Sequence, residues 1–202
     1  MFALDYLTPI EWVERVSADP IALLSDHAHC ELKAAASAQA MIAKNPERTG
    51  MLRELSEVAQ EEMEHFTRVV DVLIERGGKL GVQLKNPYAD GLLKHARRMN
   101  VDPLLERLLV AALIEARSLE RFHLLATRLE DEALAGLYRD LVPSEAAHQG
   151  LFLRLARETF PEDAVAAAHT KLRALEGQVV AEMPFAYRVH SGLAEGSAGA
   201  PG

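Results

Sequence analysis

Glu62 and His65 stand three residues apart, and the same Glu-x-x-His spacing recurs at Glu145 and His148. On a helix, residues three apart project from one face about a turn from each other, so each pair aims a carboxylate and an imidazole in one direction. One such pair is common in an acidic helical protein. Two pairs on two long helices, each preceded by another long helix with a single inward Glu, match the ligand plan of a four-helix bundle that holds two metal ions. The single carboxylates are Glu31 and Glu115.

The helices are legible from caps and apolar seams. Thr8-Pro9-Ile10-Glu11 reads as an N-cap, a first-position proline and an acidic first turn, opening a short helix to about Val16 whose Trp12 anchors this arm to the bundle. Asp19-Pro20 starts the first long helix, which runs to about Ala43 with the seam Ile21, Leu24, Ala28, Glu31, Ala35, Ala38, Ile42. The second runs from near Thr49 to Arg76 and stops at Gly77-Gly78, with the seam Leu52, Leu55, Ala59, Glu62, Phe66, Val69, Leu73. Asp102-Pro103 starts the third, with Glu115 mid-seam. The fourth, entered after Glu130-Asp131, carries Glu145 and His148 on its seam and Pro143 inside it, where a kink is expected. Between the second and third lies a crossover, residues 79–100, with a short basic helix from Asn86-Pro87. Pro161 opens a further helix to about Glu182.

These elements predict an all-α fold: a ferritin-like four-helix bundle with a long crossover between the second and third helices, a short N-terminal helix and an additional C-terminal helix. Residues 1–190 read as a single domain and residues 191–202, rich in Gly, Ala and Ser, as a flexible tail. The two halves repeat in layout, with 31 residues from Glu31 to Glu62 and 30 from Glu115 to Glu145.

Carboxylates at the midpoints of apolar seams are costly unless they are protonated, paired or metal-bound. Two divalent cations balance four carboxylates and leave two imidazoles neutral. Oxygen and imidazole ligands suit iron or manganese, and a chain whose one cysteine is Cys30 lacks the thiolates of a structural zinc site. The competing reading is that these are ordinary surface glutamates, or a buried network of ion pairs with arginines. Glu120 competes with Glu115 but falls off the seam, Glu61 and Glu64 flank Glu62, and His27 lies one turn before Glu31. His95, His123, His169 and His190 have no partner pattern and read as structural or exposed. Small residues near Glu31 (Ala28, Ala34, Ala35, Ala38) and near Glu115 (Ala111, Ala112, Ser118) fit either close helix packing or a pocket lined by Phe66, Phe122 and Phe152.

The net charge of -8 gives no global attraction for nucleic acid. Lys79, Lys85, Lys94, Arg97 and Arg98 in the crossover, with Arg117, Arg121 and Arg128 on the third long helix, are nevertheless candidates for a local basic face. Met1-Phe2-Ala3-Leu4-Asp5 lacks a signal-peptide pattern, and no apolar run reaches membrane-spanning length, so a cytoplasmic protein with no membrane partner is expected.

The stretch Asp26-His27-Ala28-His29-Cys30-Glu31-Leu32-Lys33-Ala34-Ala35, with the ligand plan, the length and the Trp12 arm, resembles the MiaE-type tRNA hydroxylases over residues 1–190. That resemblance implies an O2-dependent diiron monooxygenase that hydroxylates the isopentenyl group of 2-methylthio-N6-isopentenyladenosine beside the tRNA anticodon. Its two iron ions would be held by Glu31, Glu62, His65, Glu115, Glu145 and His148. O2 would be the co-substrate and an external reductase would supply two electrons. The alternative is a ferritin-like iron-binding or storage protein, or another diiron oxidase.

Overall fold

The computed structural model describes residues 3–195 and contains seven helices: α1 (Glu11–Val16), α2 (Pro20–Lys44), α3 (Thr49–Glu75), α4 (Pro87–Arg97), α5 (Pro103–Arg128), α6 (Glu132–Thr159) and α7 (Glu162–Glu182). Two hairpins, α2–α3 and α5–α6, form the four-helix bundle, and α4 and α7 pack together outside α5. No strand occurs among the described residues, which hold one isolated bridge between Pro184 and Ala194. Among the described residues, no helix is long and apolar enough to cross a membrane.

Side-chain caps set several of the starts. Asp19, Asn86, Asp102 and Asp131 each accept a first-turn amide of the helix that follows. The stop of α3 uses Gly77 at a φ of +75°, which a side chain would oppose, with Gly78 N–H donating to Leu73 O. Thr8 departs from expectation. It does not cap α1; its amide and hydroxyl both donate to the buried Glu120 carboxylate. α6 runs on through Pro143, although the proline has no N–H for the Arg139 carbonyl one turn earlier.

The apolar core comes in two blocks. One joins the α2–α3 turn end of the bundle to α4, α7 and the first half of α5. The other gathers α1, the first half of α2, the second half of α3, and the facing parts of α5 and α6. A layer of buried polar side chains lies between them.

Packing continues beyond the expected boundary at residue 190. Ser191 is buried, its hydroxyl accepts the Trp12 indole N–H at 3.1 Å, and Ala194 N–H donates to Met183 O at 3.1 Å. The expected flexible tail therefore does not begin at 191, and its remainder, 196–202, lies outside the described residues.

Candidate metal centre

The polar layer is built from the six candidate ligands. Glu31 comes from α2, Glu62 and His65 from α3, Glu115 from α5, and Glu145 and His148 from α6, all at most 7% exposed. Ligand atoms of Glu31, Glu62, His65 and Glu145 lie within 4.8 Å of one another, as do those of Glu62, Glu115 and His148. Glu62 belongs to both groups and stands where a carboxylate could bridge two ions.

The inner atoms converge without pairing. His148 Nδ1 is 2.9 Å from Glu62 Oε1 and His65 Nδ1 is 3.5 Å from Glu62 Oε2. None of these four buried atoms meets hydrogen-bond geometry with any partner. Orphaned buried donors and acceptors are costly, and a shared cation satisfies them together. The outer nitrogens are already fixed: His65 Nε2 is 3.1 Å from Ser144 Oγ, and His148 Nε2 is 2.8 Å from Glu61 Oε2. Such outer contacts leave Nδ1 of each ring pointing inward, where it could take a cation.

Electrostatics agree with a cation site. Burial, reinforced by Glu62, raises the Glu31 carboxyl well above its ordinary range. Burial and the Glu62 charge bring Glu115 up to about 7. Glu145 is raised by burial and by Glu115, Glu31 and Glu62. Glu62 goes the other way: burial opposes its charge, but the His148 and His65 imidazoles outweigh it and hold the group below the usual range. Burial favours a neutral His148, yet its contact with Glu62 and the Glu115 charge raise it to about 9. Without metal, the site must keep protons on several carboxyls; divalent ions would replace those protons. A thiolate-free set of carboxylates and imidazoles of this kind suits iron or manganese.

His27 is fully buried, its Nε2 lies 2.5 Å from Glu31 Oε1, and burial lowers its pKa to about 3, so it supports Glu31 as a neutral ring. His29 instead contacts Gly81 O at 2.8 Å. The competitor Glu120 is no part of the cluster. It pairs with Arg117, which also binds Glu176 through two nitrogens, and the three side chains are buried. Arg117 and Arg121 are thus removed from the candidate basic face: both are buried, and Arg121 lies over the Trp12 ring and donates to the Val189 and Ser191 carbonyls. Arg128 is exposed, as are Lys79, Lys85, Lys94, Arg97 and Arg98.

A cavity of about 200 Å³ reaches the cluster from the α2–α5 side, with Glu115 in its wall. Ala34, Leu93, Ala111, Ile114 and Phe152 make it apolar, and Lys33 and Arg107 also line it. Both lysine and arginine continue into an adjoining surface groove with Lys44 and Arg97. Both expected uses of the small residues therefore occur. Ala34 and Ala111 line the cavity, whereas Ala28, Ala35, Ala38 and Ala112 are packed in the core. Of the expected aromatic wall only Phe152 takes part, since Phe122 packs on His27 and Tyr138 and Phe66 lies against the other core block.

His190 was not distinguishable in the sequence as a site residue. It follows α7 in a segment without periodicity, yet it is buried and lines the same cavity as Glu115.

The family model "tRNA-(MS[2]IO[6]A)-hydroxylase (MiaE)" matches residues 2–191. A Pseudomonas putida protein named tRNA 2-(methylsulfanyl)-N(6)-isopentenyladenosine(37) hydroxylase is 37% identical, covering 92% of this chain and 90% of the relative. A Salmonella typhimurium protein of the same name is 28% identical, covering 92% of this chain and 86% of the relative. Among solved structures, a Synechococcus protein described as having aldehyde deformylating oxygenase activity superposes with a TM-score of 0.88 at 36% identity, covering 94% of this chain and 96% of that one.

Proposed function

The chain belongs to the MiaE family of tRNA hydroxylases, and on that premise we propose that it is a diiron monooxygenase that hydroxylates the isopentenyl group of 2-methylthio-N6-isopentenyladenosine beside the tRNA anticodon. Glu31, Glu62, His65 and Glu145 would hold one iron, and Glu62, Glu115 and His148 the other. The bound irons supply O2 activation and the oxidising power for breaking the tail's C–H bond. One oxygen atom enters the tail and the other leaves as water, with two electrons from an external reductase and two protons. A tRNA substrate also puts the site of action in the cytoplasm.

The protein's own side chains supply access and orientation. A cavity with Ala34, Leu93, Ala111, Ile114 and Phe152 in its wall suits a five-carbon tail, while a base splayed from a single-stranded loop is the ordinary form in which RNA presents a nucleoside to a pocket. Lys33, Lys44, Arg97 and Arg107 outnumber Asp102 and Glu106 along the groove, a local cationic border in this acidic protein where loop phosphates can lie. The observation that carries the reading is the double position of Glu115, which belongs to the carboxylate–imidazole cluster and to the wall of the cavity.

The deciding experiment is nucleoside mass spectrometry of tRNA from cells with and without the gene. Loss of the hydroxylated nucleoside on deletion, with its unhydroxylated precursor accumulating, is expected; an unchanged hydroxylated nucleoside overturns the reading. The likeness to the Synechococcus protein supports a second reading, oxygen-dependent deformylation of a free aldehyde. Incubating the iron-loaded protein with aldehydes and reductant separates the two, because deformylation yields a product one carbon shorter and needs no RNA.

A further inference from the structure

His190 lies outside every helix, yet its ring is firmly held. It stacks on Tyr88 with centroids 4.8 Å apart and planes 15° from parallel. The peptide groups on either side are clamped: Arg121 donates to the Val189 and Ser191 carbonyls, and Val189 N–H donates to Asp26 at 3.0 Å. Gly192 passes so close to the end of α7 that a Cβ there would sit 1.9 Å from Met183 O. A buried guanidinium and a glycine thus fix an irregular segment so that one imidazole reaches the cavity.

The two edges of the ring differ. Nε2 lies 3.2 Å from Ser118 Oγ, and Ser118 is not in the cavity wall. Nδ1 faces Cys30 Sγ at 3.8 Å, and Cys30 and His190 both line the cavity. A thiol is a weak partner, so the Nδ1 edge keeps hydrogen-bonding capacity on the cavity side. Burial, with Arg121 and Arg117 nearby, keeps the ring neutral, which makes it a directional partner and not a charge. Ala34, Ala111, Ile114 and Phe152 of the wall offer no polar side chain, while Lys33, Ser37, Asn86, Arg107 and Glu115 are the other polar residues that line it.

We propose that His190 Nδ1 is the hydrogen-bond partner of the hydroxyl installed on the substrate's branched tail, and that it thereby biases which carbon of the tail is hydroxylated. The inference rests on the reading of the cavity as the tail's binding site. The tail's two terminal methyl groups are equal in size, and apolar walls discriminate between them weakly. Oxidation converts C–H to C–OH, and a hydroxyl buried without a partner is unfavourable. At a carbon beside Nδ1 the forming hydroxyl meets the ring and is satisfied. His190 is therefore a positioning residue, acting on the tail rather than on the metals.

The test uses an anticodon stem-loop carrying the methylthio-isopentenyl nucleoside. His190→Phe keeps the stack on Tyr88 and removes both nitrogens; His190→Asn returns an amide near the Nδ1 position. Two readouts are taken: the ratio of the two hydroxylated isomers in turnover, and the affinity of zinc-loaded, redox-inactive protein for hydroxylated against unhydroxylated stem-loop. Wild type is expected to give mainly one isomer and His190→Phe both. The hydroxylated loop should bind His190→Phe about 2- to 10-fold more weakly than it binds wild type, with unhydroxylated binding unchanged. His190→Asn should restore both properties. If the Phe variant does not fold, His190→Gln decides, because its amide overlays the Nε2 edge and should not restore selectivity. A selective wild type with an equally selective, equally tight-binding His190→Phe, or His190→Gln in its place, overturns this inference alone. A wild type that does not hydroxylate the stem-loop overturns the functional reading as well.

Discussion

His148 Nε2 lies 2.8 Å from Glu61 Oε2, a carboxylate half open to solvent, while the other nitrogen of the same ring points into the cluster. Glu61 thus fixes the ring from the surface side. Glu61→Ala should leave the bundle folded and weaken iron binding by roughly 10- to 100-fold. Anaerobic ferrous titration checks this; an unchanged affinity would mean that packing alone orients His148.

Glu115 is expected to trade stability against metal. In the metal-free protein it is a buried carboxyl raised to about 7 by burial and by Glu62, an unfavourable group whose removal relieves the site. Glu115→Ala should therefore melt higher than wild type when both are metal-free, and should hold fewer than two irons per chain when both are loaded. Full iron content in the variant would remove Glu115 from the ligand set.

What was legible in the sequence was what depends on neighbours along the chain. Asp19-Pro20 and Asp102-Pro103 start α2 and α5 because capping needs only the next few residues. Glu31, Glu62, Glu115 and Glu145 stood out because a carboxylate on an apolar seam is a local anomaly. Arg117 and Arg121 did not, because a cation on a helix reads as solvated unless something distant covers it. Arg117 is covered by Glu176, 59 residues later, and by Thr8 and Tyr6 of the N-terminal arm. α5 is wrapped by α1, α4 and α7 as well as by the bundle, so it has little face left for solvent. His190 was hidden for the same reason: its place is set by Arg121, Asp26 and Tyr88, none near it in sequence.

The metal-free protein should lose stability as pH rises from about 6.5 to 9. In that window the folded state holds protons that the unfolded chain has released. His148 defines this window, since its ring is raised to about 9 from its ordinary 6.5. Stability falls with pH wherever the folded state binds more protons. His27 acts oppositely, but its contribution is complete above 6.5 because its folded pKa is only about 3. Thermal melts across this range should drop by several degrees without metal, at about 2–4 °C per kcal/mol for a chain of this size. With iron bound, protons are displaced from the site and the slope should vanish. A flat metal-free profile would contradict the raised His148 imidazole.

The RNA-binding face is best tested through salt dependence, because binding strength alone responds to any loss of structure. Lys44, Arg97 and Arg107 border the groove that adjoins the cavity, whereas Lys171 is exposed on α7, outside that groove. Each phosphate contact to a single strand contributes about 0.7 to the slope of log affinity against log salt. Reversing all three groove cations to Glu should weaken stem-loop binding and flatten that slope by about 2, while Lys171→Glu should leave it unchanged. Iron content should stay at the wild-type level, since none of the three contributes to the clustered ligand groups. An unaltered slope in the triple variant would move the RNA interface off this groove and leave the exposed Lys94 and Arg98 of the crossover as the cations to reverse next.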